Sequence, residues 1–459
     1  MSGMESFPQQ IAEARMALKT VIAASALTLL AAGTAQGQER IKFQYWYGLT
    51  GALGDVMQEH CTEFNKAQTK FEAVCTGQGG YDKAEQNAIA AYRAGQQPTI
   101  LQLYDAGTLT FMLSDAVVPA IELAKEYNMK IDWNDYIPGI KSYFSTSKGD
   151  LWSFPYNHST AVFYWNKDEW AKIGKTEPPQ TWEEFEKDAL ALKEKGVGCV
   201  IGSSYDTWQM LEQFSAMHDI PIASLDNGYG GLSAELVFNT TKFVDHVKNY
   251  KKWFDAKVLE IHTQQTGKTI EQAFADGTCA SMLSSIANFK TIDSTKKEGM
   301  NWGVALMPVY EGTARKNSLV GGAQLWVMKG KSKEEYEGAA AFLDWVSSPE
   351  QQRWMNEKTG YIPLTMAGVK ALEESGFYKD PANAGREVAN ASLSIAEPTP
   401  NSRGIRLGNF TSIRAELRTE LEAVFTQNKD VQAAIDSAVE RGNQILRRYE
   451  QTYQGRSLP

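Results

Sequence analysis

The sequence predicts an α/β fold organised around parallel sheet. Short apolar or aromatic segments alternate with segments of helical spacing from residue 41 onward, which is typical of strands joined by crossover helices. The last part of the chain carries two long apolar stripes of helical period. The chain has 459 residues, 43% of them hydrophobic and 22% charged, so it can bury a core and is not disordered. At about 100–200 residues per domain, this length allows two to four globular units.

The first half of the chain carries the strand–helix alternation. Ile41–Tyr47 alternates polar and apolar residues and is rich in aromatics, so it predicts a strand. Residues 53, 56, 57, 60 and 64 follow at helical spacing and predict a helix. The next predicted elements are a strand at 71–75, a helix at 84–94, a buried strand at 100–104, a strand at 161–165 and a helix at 167–172.

Capping and turn residues mark the second half. Thr181 is predicted to cap a helix, and Glu184 three residues later completes a capping box. The remaining predicted elements are a Gly-rich strand and turn at 196–202, a loop at 226–231, a helix at 243–254 and strands at 304–308 and 324–327. The chain is predicted to be mainly helical from residue 334, with apolar stripes of Ile413, Leu417, Leu421 and Val424 and of Val431, Ile435, Ala438, Gly442, Ile445 and Tyr449.

Charge and motif content argue against several functional classes. The chain has 46 basic and 55 acidic side chains, a net charge of −9, whereas a nucleic-acid partner would call for a basic stripe. The sequence contains no phosphate-loop motif, no His-Glu-x-x-His and no Gly-x-Ser-x-Gly nucleophile elbow. We therefore expect neither a nucleic-acid partner nor an enzyme.

The N-terminus predicts export. Arg15 and Lys19 precede an apolar stretch at 20–32, and Ala35-Gln36-Gly37 then places small residues at the −3 and −1 positions of a cleavage site. We expect residues 1–37 to be a signal peptide and the mature protein to be periplasmic, with Met16 as an alternative start. A membrane anchor is the other interpretation, but the apolar run is shorter than the ~20 residues of a span. No lipobox cysteine follows, which favours a free protein.

Several motifs resemble one known family. Tyr-Trp-Asn-Lys-Asp at 164–168, Pro-Gln-Thr-Trp-Glu at 179–183, the segment 339–350 and Thr-Gly-Tyr-Ile-Pro at 359–363 resemble signatures of the bacterial extracellular solute-binding proteins for sugars and polyols. A closer resemblance is to the periplasmic glycerol-3-phosphate-binding members that serve ABC importers. Tyr81 and segments 103–108, 157–160, 321–327, 404–409 and 438–446 carry it over nearly all of the mature chain.

The resemblance implies a periplasmic-binding-protein-like α/β fold, with two lobes, a ligand cleft between them and hinge crossings. Lobe 1 would comprise residues 38–150 plus about 320–365, and lobe 2 residues 151–319 plus about 366–455. The solute would be glycerol 3-phosphate or a glycerophosphodiester such as glycerophosphocholine. Partners would be this solute and an inner-membrane ABC permease, with no cofactor and with a monomeric protein. Lobe closure would bury the solute and present the form that the permease recognises.

The resemblance also implies a set of ligand-binding residues. Arg414 would grip the phosphate with its planar guanidinium; otherwise it is a surface arginine that pairs with Glu416 or Glu420. Asp105 stands where the family has glutamate and would accept polyol hydroxyls; otherwise it caps the helix after Ala106. Tyr205 stands where the family has tryptophan. The remaining expected ligand residues are Tyr81, Ser159, Trp208, Ser285, Gly322 and Tyr361.

Four cysteines allow three disulfide pairings. Pairing within each expected lobe favours Cys61 with Cys75 and Cys199 with Cys279, although free buried thiols are an equal alternative for the second pair. The five histidines are scattered and no zinc-type spacing occurs, so we expect no metal site.

Two other functions remain as alternatives. A neutral sugar or polyol could occupy the same fold, but it would leave Arg414 without an anion to bind. A secreted glycerophosphodiester hydrolase would require a metal cluster or a catalytic carboxylate pair. Acidic pairs such as Glu183 and Glu184 are expected on exposed helical faces instead.

Overall fold

The computed structural model describes residues 39–459 and contains two mixed sheets flanked by helices. The expected signal peptide, residues 1–37, lies outside the described residues. The strands are β1 (Ile41–Tyr47), β2 (Phe71–Gly77), β3 (Ile100–Tyr104), β4 (Val117–Val118), β5 (Phe154–Ser159), β6 (Ala161–Asn166), β7 (Ile201–Ser203), β8 (Leu259–Ile261), β9 (Ser281–Ser285), β10 (Trp302–Ala305) and β11 (Gly321–Met328).

The described α-helices, apart from a kinked turn at Ser224–Asn227, number seventeen. They are α1 (Gly51–Ala67), α2 (Tyr81–Arg93), α3 (Thr108–Leu113), α4 (Ala120–Glu126), α5 (Pro138–Phe144), α6 (Lys167–Ala171), α7 (Trp182–Glu194), α8 (Phe214–Met217), α9 (Phe243–Asp255), α10 (Ile270–Ala275), α11 (Phe289–Thr295), α12 (Lys333–Val346), α13 (Pro349–Lys358), α14 (Met366–Glu374), α15 (Glu387–Ser392), α16 (Phe410–Thr426) and α17 (Val431–Thr452). No helix among residues 39–459 is both long and apolar enough to cross a membrane.

The first sheet has the order β2-β1-β3-β11-β4, and β5 also pairs with β11. β1 and β3 are parallel, as predicted. The predicted parallel arrangement does not extend to the whole sheet, because β11 runs antiparallel to β3, β4 and β5. This strand returns to the sheet only after the chain has built the second sheet, so the rule for local crossover connections does not set its direction.

The second sheet has the order β10-β6-β9-β7-β8. β7 is parallel to β8 and to β9, whereas β6 is antiparallel to both β9 and β10. The predicted strand at 161–165 is confirmed with one added residue. β7 is shorter than the Gly-rich strand and turn predicted at 196–202, since it covers only three residues.

The chain passes between the sheets at Thr160, which joins β5 to β6. Thr160 is fully buried. Its hydroxyl donates to the Ser318 hydroxyl (2.8 Å) and the Leu319 carbonyl (2.9 Å), which lie on the segment that leads back to the first sheet at β11. Two crossings therefore lie side by side. β5 belongs to the first sheet although it follows residue 150, and the division of the chain into lobes stays a prediction.

Side-chain caps begin seven of the seventeen described helices, and apolar stripes account for the packing of the two C-terminal ones. The Thr181 hydroxyl accepts from the Glu184 N–H (3.1 Å) and so caps α7. The predicted capping box is not closed on Thr181, because the Glu184 carboxylate accepts from the Gln180 N–H instead (2.9 Å). The apolar stripe of α16 is buried, and that of α17 is buried throughout its predicted positions.

Two disulfides join the described chain. Cys61 in α1 is bonded to Cys75 in β2, and Cys199 before β7 is bonded to Cys279 before β9. These are the two pairs that the sequence favours. The first bond ties α1 to a strand of the first sheet, and the second joins the segments that lead into two neighbouring strands of the second sheet.

Candidate ligand-binding cleft

A cleft of about 750 Å³ opens where both sheets present their strand ends. Asp105 follows β3, Ser159 ends β5, Ser285 ends β9 and Gly322 lies at the start of β11. Loops at the carboxyl ends of strands are where α/β proteins place ligands. The nine residues expected to contact a solute all line this cleft, and their roles in binding stay predictions: Tyr81, Asp105, Ser159, Tyr205, Trp208, Ser285, Gly322, Tyr361 and Arg414.

Arg414 lies in the first turns of α16 and is held by two carboxylates. Its Nε and Nη2 donate to the two carboxylate oxygens of Glu212, both at 2.7 Å. Nη2 also donates to Asp105 Oδ1 at 2.6 Å. All three side chains are buried, since 7% of the Arg414 side chain is exposed, 5% of that of Asp105 and 1% of that of Glu212. The guanidinium is thus fixed in orientation while one edge of it remains for other contacts.

Arg414, Asp105 and Glu212 form a triad, and two of its polar atoms have no partner among the described residues. Arg414 Nη1 donates to none of them, and Asp105 Oδ2 accepts from none of them. Neither atom is among the fully buried polar atoms without a partner, and both side chains line the cleft. The triad therefore offers a donor and an acceptor to a solute.

Burial and charge act in opposition within the triad. Burial raises the pKa of the Glu212 carboxyl from its usual 4.5 to about 7, while the charge of Arg414 opposes that shift. Burial lowers the pKa of Arg414, but the carboxylates of Glu212 and Asp105 outweigh burial and raise this pKa well above its usual range. Arg414 hence stays charged, and Glu212 is the group that titrates near neutrality.

The two structural alternatives for these residues are wrong. Arg414 does not pair with Glu416 or Glu420, which instead bind Arg441, each at 2.6 Å. Asp105 forms no side-chain cap on the turn or helix that follows it.

Glu212 is the residue that sequence reasoning missed. It belongs to a π-helical segment, Trp208–Gln213, and this wide turn is a form that often marks functional sites. The available signal was a single acidic residue in the run Trp-Gln-Met-Leu-Glu-Gln-Phe, since a carboxylate buried there requires a cation. Nothing local identified Arg414, some 200 residues later, as that cation.

Two serines meet at the bottom of the cleft. The Ser285 hydroxyl donates to the Ser159 hydroxyl at 2.8 Å, which connects the end of β9 in the second sheet to the end of β5 in the first. Ser285 Oγ also accepts from the Ala287 N–H (3.1 Å). Ser285 therefore caps the following turn, and the hydroxyl pair also borders the cleft.

Gly322 adopts a φ of +110° beside the backbone of β5. A Cβ at this position would collide with the carbonyl oxygen of Asn157, so no other residue fits without moving a strand. The glycine lets β11 pass close to β5, and its backbone borders the cleft.

Aromatic rings form two walls. Tyr81 stacks on Tyr104 with ring centroids 5.1 Å apart, and its hydroxyl accepts from Asn157 Nδ2 at 3.1 Å. Burial raises the pKa of Tyr81 and of Tyr361, so both hydroxyls stay protonated. On the other wall, Tyr205 and Trp208 come just before and at the start of the π-helical segment.

The rim of the cleft carries both basic and acidic side chains. Arg418 lies 3.6 Å from Asp82, and Lys83 is exposed nearby. Helix α2 begins beside the cleft at Tyr81 without a side-chain cap, so its first N–H groups are available to an anion. The cleft can therefore hold a solute that has an anionic group and several hydroxyls.

No histidine or cysteine lines this cleft within the described part of the chain. Its serines accordingly have no imidazole base of the kind that activates a nucleophile. The group of potential metal ligands found in residues 39–459 comprises Cys199, Glu260, His262 and Cys279 and lies outside the cleft. The arrangement serves to hold a solute between two sheets.

The chain belongs to the bacterial extracellular solute-binding proteins, because residues 59–385 match that family. It is 38% identical over 438 residues to the sn-glycerol-3-phosphate-binding periplasmic protein UgpB of Escherichia coli K12, a match that spans 94% of this chain and 97% of the relative. UgpB of Shigella flexneri gives the same identity and coverage. Like these relatives, the protein is periplasmic.

Solved structures share the fold. UgpB from Mycobacterium tuberculosis, in complex with glycerophosphocholine, has a TM-score of 0.72 at 21% identity and covers 90% of this chain and 100% of its own. The sugar-binding protein MalE from Xanthomonas citri has a TM-score of 0.68 at 20% identity, with coverage of 91% and 100%. These likenesses confirm the predicted two-lobed, binding-protein-like α/β architecture.

Proposed function

We propose that the protein captures sn-glycerol 3-phosphate, and glycerophosphodiesters such as glycerophosphocholine, and delivers them to the inner-membrane permease of an ABC importer. The observation that carries this proposal is the fixed guanidinium of Arg414 in the cleft, with Nη1 free of acceptors among the described residues. Relatives named for sn-glycerol 3-phosphate, at 38% identity across nearly the whole chain, support it.

The phosphate is held by Arg414 Nη1, with the amino end of α2 as a second source of N–H donors. Asp105 Oδ2 accepts a glycerol hydroxyl, since Oδ1 is already used by Arg414. Ser159, Ser285 and the backbone at Gly322 complete the polar contacts. Tyr81, Tyr205, Trp208 and Tyr361 cover the carbon atoms and any larger head group.

The protein binds its solute without chemical change and acts as a monomer. The two lobes, predicted as residues 38–150 with about 320–365 and residues 151–319 with about 366–455, close on the solute. The exception to these bounds is β5, which moves with lobe 1 because it pairs with β11. The absence of histidine and cysteine from the described lining supports a purely binding role.

Calorimetric titration of the purified protein tests this proposal. We expect saturable 1:1 binding of sn-glycerol 3-phosphate or glycerophosphocholine, and no binding of glycerol or maltose at the same concentrations. Binding of maltose alone would assign the cleft to neutral sugars. The same samples, incubated and assayed for free choline and free phosphate, test the absence of catalysis, and sustained turnover would contradict it.

A further inference from the structure

A second group of side chains in the second sheet has the composition of a metal site. The ligand atoms of Cys199, Glu260, His262 and Cys279 all lie within 4.8 Å of one another. None of the four residues lines the cleft. The group is therefore not part of the cleft lining, although Thr263 next to His262 is, and it does not depend on the proposed function.

The topology brings these residues together from three neighbouring strands. Cys199 and Cys279 face each other in an isolated parallel bridge, just before β7 and β9 begin. Glu260 lies in β8, and His262 follows directly after it, so that both side chains are on one face. The backbone N–H of His262 donates to the Ser203 carbonyl at 2.8 Å and thereby continues the pairing of β8 with β7.

Gly202 makes room for the group. A Cβ on Gly202 would lie 3.3 Å from Cys279 Sγ and 3.6 Å from His262 Cδ2. Because glycine leaves this space empty, sulfur and imidazole approach each other over the strand. The His262 Nε2 atom is 3.3 Å from Cys279 Sγ and 3.3 Å from Glu260 Oε2.

Burial differs across the group in the way a binding site requires. Cys199 and Cys279 are 1% and 0% exposed. The His262 side chain is 11% exposed and that of Glu260 is 43% exposed. A cation could thus reach the buried sulfurs from the carboxylate side.

In the structure the two sulfurs form a disulfide, and in that form neither is the thiolate that a metal binds. We propose that opening of this disulfide converts the group into a Zn²⁺ site with Cys199, Cys279, His262 and Glu260 as ligands. Two thiolates, one imidazole and one carboxylate form a tetrahedral set of the kind that zinc prefers. In such a set the ligand atoms are about 3.3–3.8 Å apart, as follows from Zn–S near 2.3 Å and Zn–N near 2.1 Å.

The conversion balances in two steps. A dithiol reductant transfers two electrons to the S–S bond, which breaks to give two protein thiols, and the reductant becomes a cyclic disulfide. Zn²⁺ then binds the two sulfurs as thiolates and two protons are released. His262 binds through Nε2 in its neutral form. The metal would link the starts of β7 and β9 in place of the covalent bond.

Cobalt spectroscopy on the full-length mature protein tests this proposal. The C61S/C75S variant leaves only the Cys199–Cys279 pair, and it is reduced with dithiothreitol and freed of reductant under nitrogen. We expect one equivalent of Co²⁺ to give the visible bands of tetrahedral cobalt and a near-ultraviolet thiolate charge-transfer band. Zn²⁺ should displace the cobalt and raise the Tm of the reduced protein. The oxidised protein should give none of these signals.

Two further variants identify the ligands. His262→Ala in the same background should weaken Co²⁺ binding by more than the roughly 10–100-fold that loss of an outer-shell partner costs. Its oxidised form should keep the Tm of the parent, which shows that the fold is intact. The C199S/C279S variant, which keeps the other pair, should bind no tetrahedral cobalt. Absence of the cobalt bands and of a zinc-dependent Tm shift in the reduced parent, or bands of equal strength in either variant, would overturn the proposal.

Discussion

The side chain of Arg414 is unusual in that it is buried, doubly ion-paired and yet borders an open cleft. Removing one partner of a buried charge pair costs several kcal/mol, because the remaining charge is left uncompensated. The two carboxylates therefore serve to orient the guanidinium, and the guanidinium in turn makes the two buried carboxylates tolerable. With both carboxylates ionised the three side chains carry a net charge of −1, so a proton on Glu212 would favour the binding of a solute anion.

Replacing Arg414 by lysine should weaken sn-glycerol 3-phosphate binding at least tenfold. A hydrogen bond to a charged group contributes about 1.5–3 kcal/mol, and lysine keeps the charge but cannot keep the planar fork. Arg414→Ala should lose more, since Asp105 and Glu212 would then repel the anion. Calorimetry measures both, and thermal unfolding shows whether the variants fold.

The matched control for that experiment is Arg418→Lys. Arg418 also lines the cleft but is half-exposed and lies 3.6 Å from Asp82. Its replacement should change affinity by less than a factor of about three, as is usual for an exposed ion pair. Equal losses in the two lysine variants would mean that Arg414 has no special role.

Asp105→Glu should change the preference between monoester and diester. Asp105 Oδ1 binds Arg414 Nη2 at 2.6 Å, so a longer side chain must either displace the guanidinium or move the carboxylate toward the polyol. The ratio of the two affinities, measured by calorimetry, should shift, whereas Asp105→Asn should weaken both ligands. An unchanged ratio in Asp105→Glu would show that this carboxylate does not contact the glycerol.

Glu212 should make anion binding depend on pH. Burial raises its pKa to about 7, so it gains a proton as the pH falls through neutrality and the cleft loses one negative charge. Affinity for glycerophosphocholine, whose own charges do not titrate there, should rise several-fold from about pH 8 to about pH 6. In Glu212→Gln the rise should be absent. A rise that persists in this variant would assign the effect to another group.

Single residues also show how far the sequence leads. The nine cleft residues were predictable because the chain resembles a known family over nearly all of its mature length, and each one lines the cleft. The partners of Arg414 were not, because proximity in sequence favours Glu416 and Glu420 while the fold supplies Glu212 and Asp105. Long-range ion pairs are set by the packing of elements, which local spacing does not encode.

Among the elements, β11 contains a glycine, Gly322, whose positive φ and close approach to β5 leave no room for a side chain. Gly322→Ala should lower the free energy of unfolding by more than the 1–2 kcal/mol or so that positive φ alone costs an L-residue, because the new Cβ meets Asn157 as well. Gly149→Ala is the control, since Gly149 has a φ of +84° with no atom nearby. Urea unfolding compares them. Equal losses would show that the close strand approach is unimportant.

Elements were otherwise predictable where their signal is local. β1 and β3 have the predicted bounds, and the apolar stripes of α16 and α17 are buried as expected. β4, β5, β8 and β9 escaped prediction; β4 has only two residues, and β5 reads Phe-Pro-Tyr-Asn-His-Ser without alternation. Strand direction escaped as well, because β11 joins its sheet from a distant part of the chain.

For the whole molecule, the paired crossings at Thr160 and Ser318–Leu319 suit a hinge. Saturating sn-glycerol 3-phosphate should reduce the radius of gyration of the protein in small-angle X-ray scattering, because closure buries the solute between the sheets. Arg414→Lys at the same ligand concentration should show less compaction. An identical scattering curve with and without bound ligand would contradict closure.

The structure of the protein with glycerophosphocholine is the most direct test of the proposed site. We expect the phosphate group in the cleft, with one of its oxygens at about 2.7–2.9 Å from Arg414 Nη1 and a glycerol hydroxyl on Asp105. A phosphate bound elsewhere, with Nη1 still facing only solvent, would contradict the role assigned to Arg414.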